Sequence, residues 1–147
     1  MDLDGITLTS TPGGERDLDH AAAMLVDAYW NVGSFDHAAL RRAHAGSTVW
    51  VGARDRSGRL IATVRAISDG VKHAWVYDMM VAPAHRGKRV GTAVMRLLLE
   101  HPRLRDVRFV WLGTRDAQPL YRSLGFIEKS AMPPKAYATT EMVLRRH

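Results

Sequence analysis

The sequence predicts a mixed α/β fold: a mostly antiparallel central sheet flanked by helices and ending in one parallel strand pair. Three observations carry that expectation. Apolar runs at 48–54, 60–67 and 74–81 are separated by short turn-forming stretches, the spacing of consecutive antiparallel strands. A basic, glycine-containing turn then opens a helix near residue 90, and another apolar run, 107–113, follows that helix. A strand reached through a crossover helix lies parallel to the strand before it. With 147 residues, 46% of them hydrophobic and 24% charged, the chain suits a single domain, residues 1–147, with a real core.

Taken in order, Ile6 to Thr9 alternates apolar and polar as a short strand does, and Pro12-Gly13-Gly14 ends it. Asp17 is the expected N-cap of a first helix, on which Leu18, Ala21, Ala22, Leu25, Val26 and Tyr29 recur at helical spacing. Asn31 to Ser34 breaks that stripe, and a second, less apolar helix runs from about Asp36 to Ala45. Thr48 to Arg54 and Leu60 to Ile67 form a hairpin through Asp55-Arg56-Ser57-Gly58. Ser68-Asp69-Gly70 leads to the central strand, Ala74 to Val81, which Pro83 stops.

The next helix, from about Val90 to Glu100, places Val90, Ala93, Val94, Leu97, Leu98 and His101 on one face, with Pro102 just past its end. Val107 to Gly113 is the parallel strand. A short helix starting near Asp116 presents Ala117, Leu120, Tyr121 and Leu124 on one side, with Gly125 as its C′ residue and Phe126 entering a further strand. A proline-stiffened loop, Met132 to Tyr137, precedes a final strand at about Thr139 to Leu144.

Composition excludes several classes of chemistry. Without cysteine there is no disulfide, thiolate metal site or acyl-cysteine intermediate. The seven histidines show no ligand spacing, so no metal is expected. No run reaches membrane-spanning length, and the acidic, polar start carries no export signal, which reads as cytoplasmic. A net charge of +6 suits an anionic ligand. Nucleic acid is the weaker partner for it, because the basic residues come in scattered pairs such as Arg41-Arg42 and Lys88-Arg89.

The turn between the central strand and its helix is Arg86-Gly87-Lys88-Arg89-Val90-Gly91, followed by Thr92. The N–H groups of a helix's first turn lack intrahelical acceptors, and the helix dipole adds to their attraction for an anion. Gly87 and Gly91 allow close approach of the main chain, and three cations raise the potential. The same residues also suit a plain solvated basic loop. A P-loop is excluded because no lysine follows Gly91, and a dinucleotide fingerprint because Arg89 stands where its second glycine belongs.

The pattern R-x-x-x-x-G after V-x-P resembles the cofactor motif [QR]-x-x-G-x-[GA] of the GNAT superfamily of N-acetyltransferases. Arg86 takes its first position and Gly91 its last, and Arg89 replaces the middle glycine. That replacement is tolerable at negative φ and damaging at positive φ. A second segment, A-x-x-L-Y-x-x-L-G-F at 117–126, resembles the family's other diagnostic stretch, and together the two cover residues 74 to 130. Three antiparallel strands followed by a helix is also the family's order.

The resemblance implies a splayed parallel strand pair holding acetyl-CoA. Met79, Met80 and Val81 would pair with its pantetheine arm, and Arg86, Gly87, Lys88, Arg89, Val90, Gly91 and Thr92 would hold its pyrophosphate. It implies direct acetyl transfer to a primary amine of a small molecule or peptide, with Tyr121 facing the sulfur, and it leaves a homodimer open. Thr114 stands where the family often has asparagine and replaces only part of its hydrogen bonding. The acceptor site would be lined by Tyr29, Trp30, Asn31 and Phe35, with Tyr137 and Lys135 of the late loop. A non-catalytic acyl-CoA-binding module is the alternative.

An alkylamine of pKa near 10.4 is almost wholly protonated at pH 7, so freeing it costs roughly 4 to 5 kcal/mol. A base is therefore useful. Asp78, the one acidic residue of the central strand, is the expected one if burial raises its pKa, with His73 and His85 in reserve. Asp78 equally suits a structural, hydrogen-bonded role.

Overall fold

A computed structural model describes residues 3–146, which fall into two compact units, one up to Thr114 and one from Arg115 onward. The first unit holds a five-stranded sheet in chain order: β1 (Thr7–Thr9), β2 (Val49–Arg54), β3 (Leu60–Ser68), β4 (His73–Val81) and β5 (Phe109–Trp111). The first four pair antiparallel, and β5 runs parallel to β4. The expected sheet, hairpin and crossover are thus all present.

Helices α1 (Gly14–Leu25), α2 (His37–Ala45) and α3 (Val90–Leu99) cover that sheet. Leu60 to Val64 are buried at every position, so both faces of β3 are covered at that end. α3 packs on β2, β3 and β4, and α1 packs on β3, β4 and α2. Val94, Met95 and Leu98 of α3 and Leu25 of α1 have no exposed surface. Each such side chain stabilises the fold by roughly 2 kcal/mol through burial alone. Gly52 is required where β2 meets β3, because a Cβ there would sit 2.4 Å from the Ala62 carbonyl oxygen.

Asp17 does not cap α1, which starts three residues earlier, at Gly14, with Gly13 as N-cap. Its buried carboxylate is the better acceptor for two other donors. It takes the Gly13 N–H at 2.8 Å and both terminal nitrogens of Arg54, at 2.5 and 2.6 Å. The pairing with Arg54 holds its pKa low against the desolvation that would raise it. Arg41 of α2 in turn pairs with Glu15 and Asp19 of α1. Asp36 caps α2 as expected, its side chain accepting the Ala39 N–H at 2.8 Å.

α1 also ends earlier than its apolar stripe, because the Asn31 side chain takes the Leu25 carbonyl at 3.1 Å. Tyr29 therefore lies in the turn after the helix, not on it.

The second unit contains α4 (Gln118–Ser123) and a 3₁₀ turn at Lys129–Ala131. Gly125, at φ 94°, closes α4 in the left-handed conformation that glycine adopts freely. Neither the strand expected after Phe126 nor the one at Thr139 to Leu144 forms. Met142 and Val143 are each 91% exposed. No strand partner for 139–144 exists among the described residues.

Candidate active site

β4 is the element that builds the site. Its register against β3 passes from Arg65↔Tyr77 to Thr63↔Met80, two steps on β3 against three on β4, which is a β-bulge. Asp78 occupies the bulge at φ 56°, a left-handed conformation that aspartate tolerates better than most residues. The bulge re-aims the strand so that neighbouring residues, Tyr77 and Asp78, both meet Arg65.

Arg65 Nε donates to Asp78 Oδ2 at 2.7 Å, while its guanidinium lies 5.2 Å from the centre of the Tyr77 ring. The other carboxylate oxygen accepts the Trp30 indole N–H at 2.7 Å and the Asn31 amide at 3.4 Å. Asn31 is buried, whereas Trp30 is 40% exposed and meets Tyr29 edge to face at 4.8 Å. The turn after α1 is thereby fastened to the bulge of β4.

The expected upward displacement of the Asp78 pKa is not found. Burial alone would raise it, but the Arg65 hydrogen bond and charge, with the Trp30 and Asn31 donors, outweigh burial and hold the carboxyl below its usual value. A carboxylate so stabilised is a weak proton acceptor near neutral pH and a strong anchor. His73 is engaged too: its Nδ1 accepts the Trp111 indole N–H at 2.9 Å and its ring stacks on Phe109.

On its other side β4 opens. Ladder pairs with β5 are His73↔Phe109, Ala74↔Val110 and Trp75↔Trp111, and none continues although β4 runs on to Val81. The last six residues of β4 therefore lack a strand neighbour on that side among the described residues, as a splayed pair requires. A chain-like ligand with amide groups fits an edge of this kind.

The basic turn follows Val81. Arg86 folds back on the strand end, donating from Nε to the Val81 carbonyl at 2.9 Å and approaching the Met80 sulfur at 3.4 Å. Gly87 has φ 74° and Arg89 φ 65°, so the glycine substitution falls at the positive φ that the sequence left as the unfavourable case. A left-handed non-glycine residue costs about 1–2 kcal/mol, and the fold carries that cost here. Arg89 is the N-cap of α3 and provides no side-chain cap, so the first-turn N–H groups keep their capacity for an external acceptor. Lys88 and Arg89 are exposed around them, while Gly91 is buried and Thr92 half-buried.

Of the remaining expected residues, Phe35 is 56% exposed and makes no ring contact with the cluster among the described residues. In the second unit Tyr121 is buried on α4, with its ring edge to face against Phe126 at 5.9 Å. Tyr137 is 67% exposed, with Lys135 over its ring at 5.7 Å. Thr114 is half-buried.

Sequence reasoning missed Arg65, Trp75 and Tyr77. Arg65 is the one charge inside β3, and Trp75 and Tyr77 alternate on β4 with buried Ala74 and Val76. That alternation was the available signal, masked because all five residues from Ala74 to Asp78 read as one apolar run ended by an acid.

Residues 17–126 match the family model described as Acetyltransferase (GNAT) family. The chain belongs to this family. It is 39% identical over 104 residues to serotonin N-acetyltransferase 2, chloroplastic, of Oryza sativa subsp. japonica, covering 66% of this chain and 48% of that protein. It is 31% identical over 113 residues to histone acetyltransferase TAP1 of Glycine max, covering 76% and 45%. The chain thus spans about half the length of the curated relatives it matches. Among solved structures, one from Xanthomonas campestris assigned to the GNAT family superposes with a TM-score of 0.74 at 27% identity, covering 89% of this chain and 93% of that one. No helix among the described residues is long and apolar enough to cross a membrane.

Proposed function

We propose that this protein is an N-acetyltransferase that moves an acetyl group from acetyl-CoA directly to a primary amine of a small molecule or peptide. The observation that carries this reading is the opening of β4 away from β5 beyond Trp75 and Trp111, followed in the chain by an uncapped, cation-flanked helix start. Both features suit one ligand that combines an extended amide-bearing arm with a phosphate-rich end.

Acetyl-CoA, when bound, supplies an acetyl group already activated as a thioester. Backbone groups of Met79, Met80 and Val81 would hold the arm, and a strand N–H there would polarise the acyl oxygen. The N–H groups of Val90, Gly91 and Thr92, with Lys88 and Arg89, would hold the pyrophosphate. Arg86 contributes by fixing the loop to Val81, and Gly87 and Thr114 complete the cofactor set. As the family's pattern implies, the Tyr121 hydroxyl would donate to the departing sulfur. Proton delivery from a phenol of pKa about 10 to a thiolate whose acid has pKa about 8.5 is uphill by roughly 2 kcal/mol, so hydrogen bonding comes first.

Tyr29, Trp30 and Asn31 line the acceptor side, together with Phe35. Asp78 serves by holding Trp30 and Asn31 in place, and the acceptor's proton leaves through water. The relatives' names point to different acceptors, serotonin in one case and histone in the other.

The test has two arms. Calorimetry of the purified chain with coenzyme A reads the cofactor site, and thiol release from acetyl-CoA with a mixed amine panel reads turnover. Binding with amine-dependent release supports the proposal. Binding without release identifies a non-catalytic acyl-CoA-binding module, and absence of binding removes the enzymatic reading altogether.

A further inference from the structure

The bulge of β4 leaves one choice that apolar packing does not make. Met79 and Met80 follow Asp78 side by side, so moving the extra residue one place along the strand would set Met79 opposite Thr63. That move exchanges two identical side chains between the faces of the sheet. β3 opposes it weakly, because Leu60 to Val64 is buried throughout and apolar at every position except Thr63.

α2 supplies what packing lacks. Leu40 and His44, both buried, lie four residues apart on one face of that helix. Leu40 belongs to the buried cluster against which Met80 packs, and His44 Nε2 shares a 2.8 Å hydrogen bond with Thr63 Oγ1. Thr63 and Met80 are ladder partners, so one helix face holds both members of the first pair beyond the bulge. The His44 ring also meets Trp50 edge to face at 5.0 Å, and Trp50 is the β2 partner of Arg65, which flanks the bulge on its other side. His44 is 1% exposed and Thr63 0%, and the His44 Nδ1 is buried with no hydrogen-bond partner among the described residues. A leucine and a valine would fill the same space without an unpaired nitrogen, so stability alone does not favour the polar pair.

We infer that His44 is a positioning residue for the transfer site: through Thr63 it fixes the place of the β4 bulge, and with it the direction of the strand N–H groups from Met79 to Val81. The inference rests on the acetyl-transfer reading above and adds a residue of α2 to it. Successive N–H groups of a strand point to opposite edges, so a bulge displaced by one residue exchanges those that face β3 with those that face the open side. The N–H that would polarise the acyl oxygen is then turned away from it. Arg65 and Asp78 hold the bulge from one side, and His44 and Thr63 hold it from the other.

The experiment uses the full chain with Thr63→Val, Thr63→Ser, and the double variant His44→Leu with Thr63→Val. Urea unfolding reads stability, and thiol release from acetyl-CoA with the panel amine that the parent uses fastest reads transfer. Hydrogen exchange over residues 73–81, followed by mass spectrometry, reads the bulge. Thr63→Val should lower kcat by about tenfold to a hundredfold, the range that a small misplacement of reacting groups costs, with coenzyme A affinity little changed. Thr63→Ser keeps the hydroxyl and should restore kcat. The double variant should regain the parent's unfolding midpoint, since two apolar partners leave nothing unpaired, yet stay down about tenfold or more in kcat and exchange faster over 73–81. Recovery of kcat together with stability makes the pair merely structural and overturns the inference, as does a parent-like kcat in Thr63→Val or a double variant less stable than Thr63→Val. If the parent acetylates no amine, the transfer reading fails by itself and exchange still decides. Faster exchange over 73–81 at unchanged global stability supports the hold on the bulge, and unchanged exchange overturns it.

Discussion

Arg65 on β3 and Asp78 on β4 face each other across the sheet with 2.7 Å between Nε and Oδ2, their side chains only 13% and 7% exposed. A pair so enclosed is poorly screened by solvent, and each partner is the other's compensation. Its position at the bulge makes it the hinge pin of the acceptor side, because the same carboxylate holds Trp30 and Asn31.

Removing the charge from one partner leaves the other buried and uncompensated, at a cost of about 3 kcal/mol. Asp78→Asn should therefore lower the urea unfolding free energy by about that amount and alter the Trp30 emission. The double variant Arg65→Met with Asp78→Asn should recover part of the loss. A single-variant loss within experimental error would show that solvent already screens the pair.

His44 gives a pH dependence of definite sign. It is 1% exposed, its Nε2 shares a hydrogen bond with Thr63 Oγ1 at 2.8 Å, and burial, helped by the nearby Arg65, lowers its pKa from 6.5 to about 4. The folded state holds the imidazole neutral, while the unfolded chain protonates it near 6.5. The stabilisation is thus full above pH 6.5 and is lost as pH falls towards about 4, amounting to roughly 3 kcal/mol. The low pKa of Asp78 has the same sign but acts below the ordinary carboxylate range, so the two effects separate on the pH axis. Urea midpoints from pH 7 to pH 4 should fall steeply for the parent and much less for His44→Gln. Parallel curves would assign the acid loss to other groups.

Arg89 stands at φ 65° where glycine is conformationally free. Arg89→Gly relieves about 1–2 kcal/mol of left-handed strain and gives back about 0.4–1 kcal/mol through the looser unfolded chain. Melting should show a change of about 0 to 1.6 kcal/mol in favour of glycine, with only a modest loss of coenzyme A affinity from the missing exposed cation. Arg89→Val, β-branched at the same φ, should destabilise the fold clearly. Equal stability of the glycine and valine variants would mean that the backbone relaxes at no cost.

Tyr121 tests the chemistry. Its ring contact with Phe126 survives replacement by phenylalanine, so only the hydroxyl is lost. Tyr121→Phe should lower kcat on the order of a hundredfold while coenzyme A affinity stays within about fivefold, since one neutral hydrogen bond contributes about 1 kcal/mol or less. An unchanged kcat would take Tyr121 out of the mechanism.

The architecture and the cofactor half were legible because they rest on local chemistry. Periodicity places β2 to β4 and α3, turn residues make the hairpin, and Arg86 to Thr92 can be read as an anion-binding turn from glycine and charge alone. What the chain could not announce depends on contacts between residues far apart. Asp17 reads as a cap until Arg54 claims it, and Asp78 reads as a base until Arg65, Trp30 and Asn31 saturate it. The run from Ala74 to Asp78 reads as wholly interior until the sheet leaves one face of β4, with Trp75 and Tyr77, uncovered. Local propensity is a sum over neighbours in sequence, whereas burial, register and the charge around a carboxylate are fixed by neighbours in space, and those exist only once the sheet has closed.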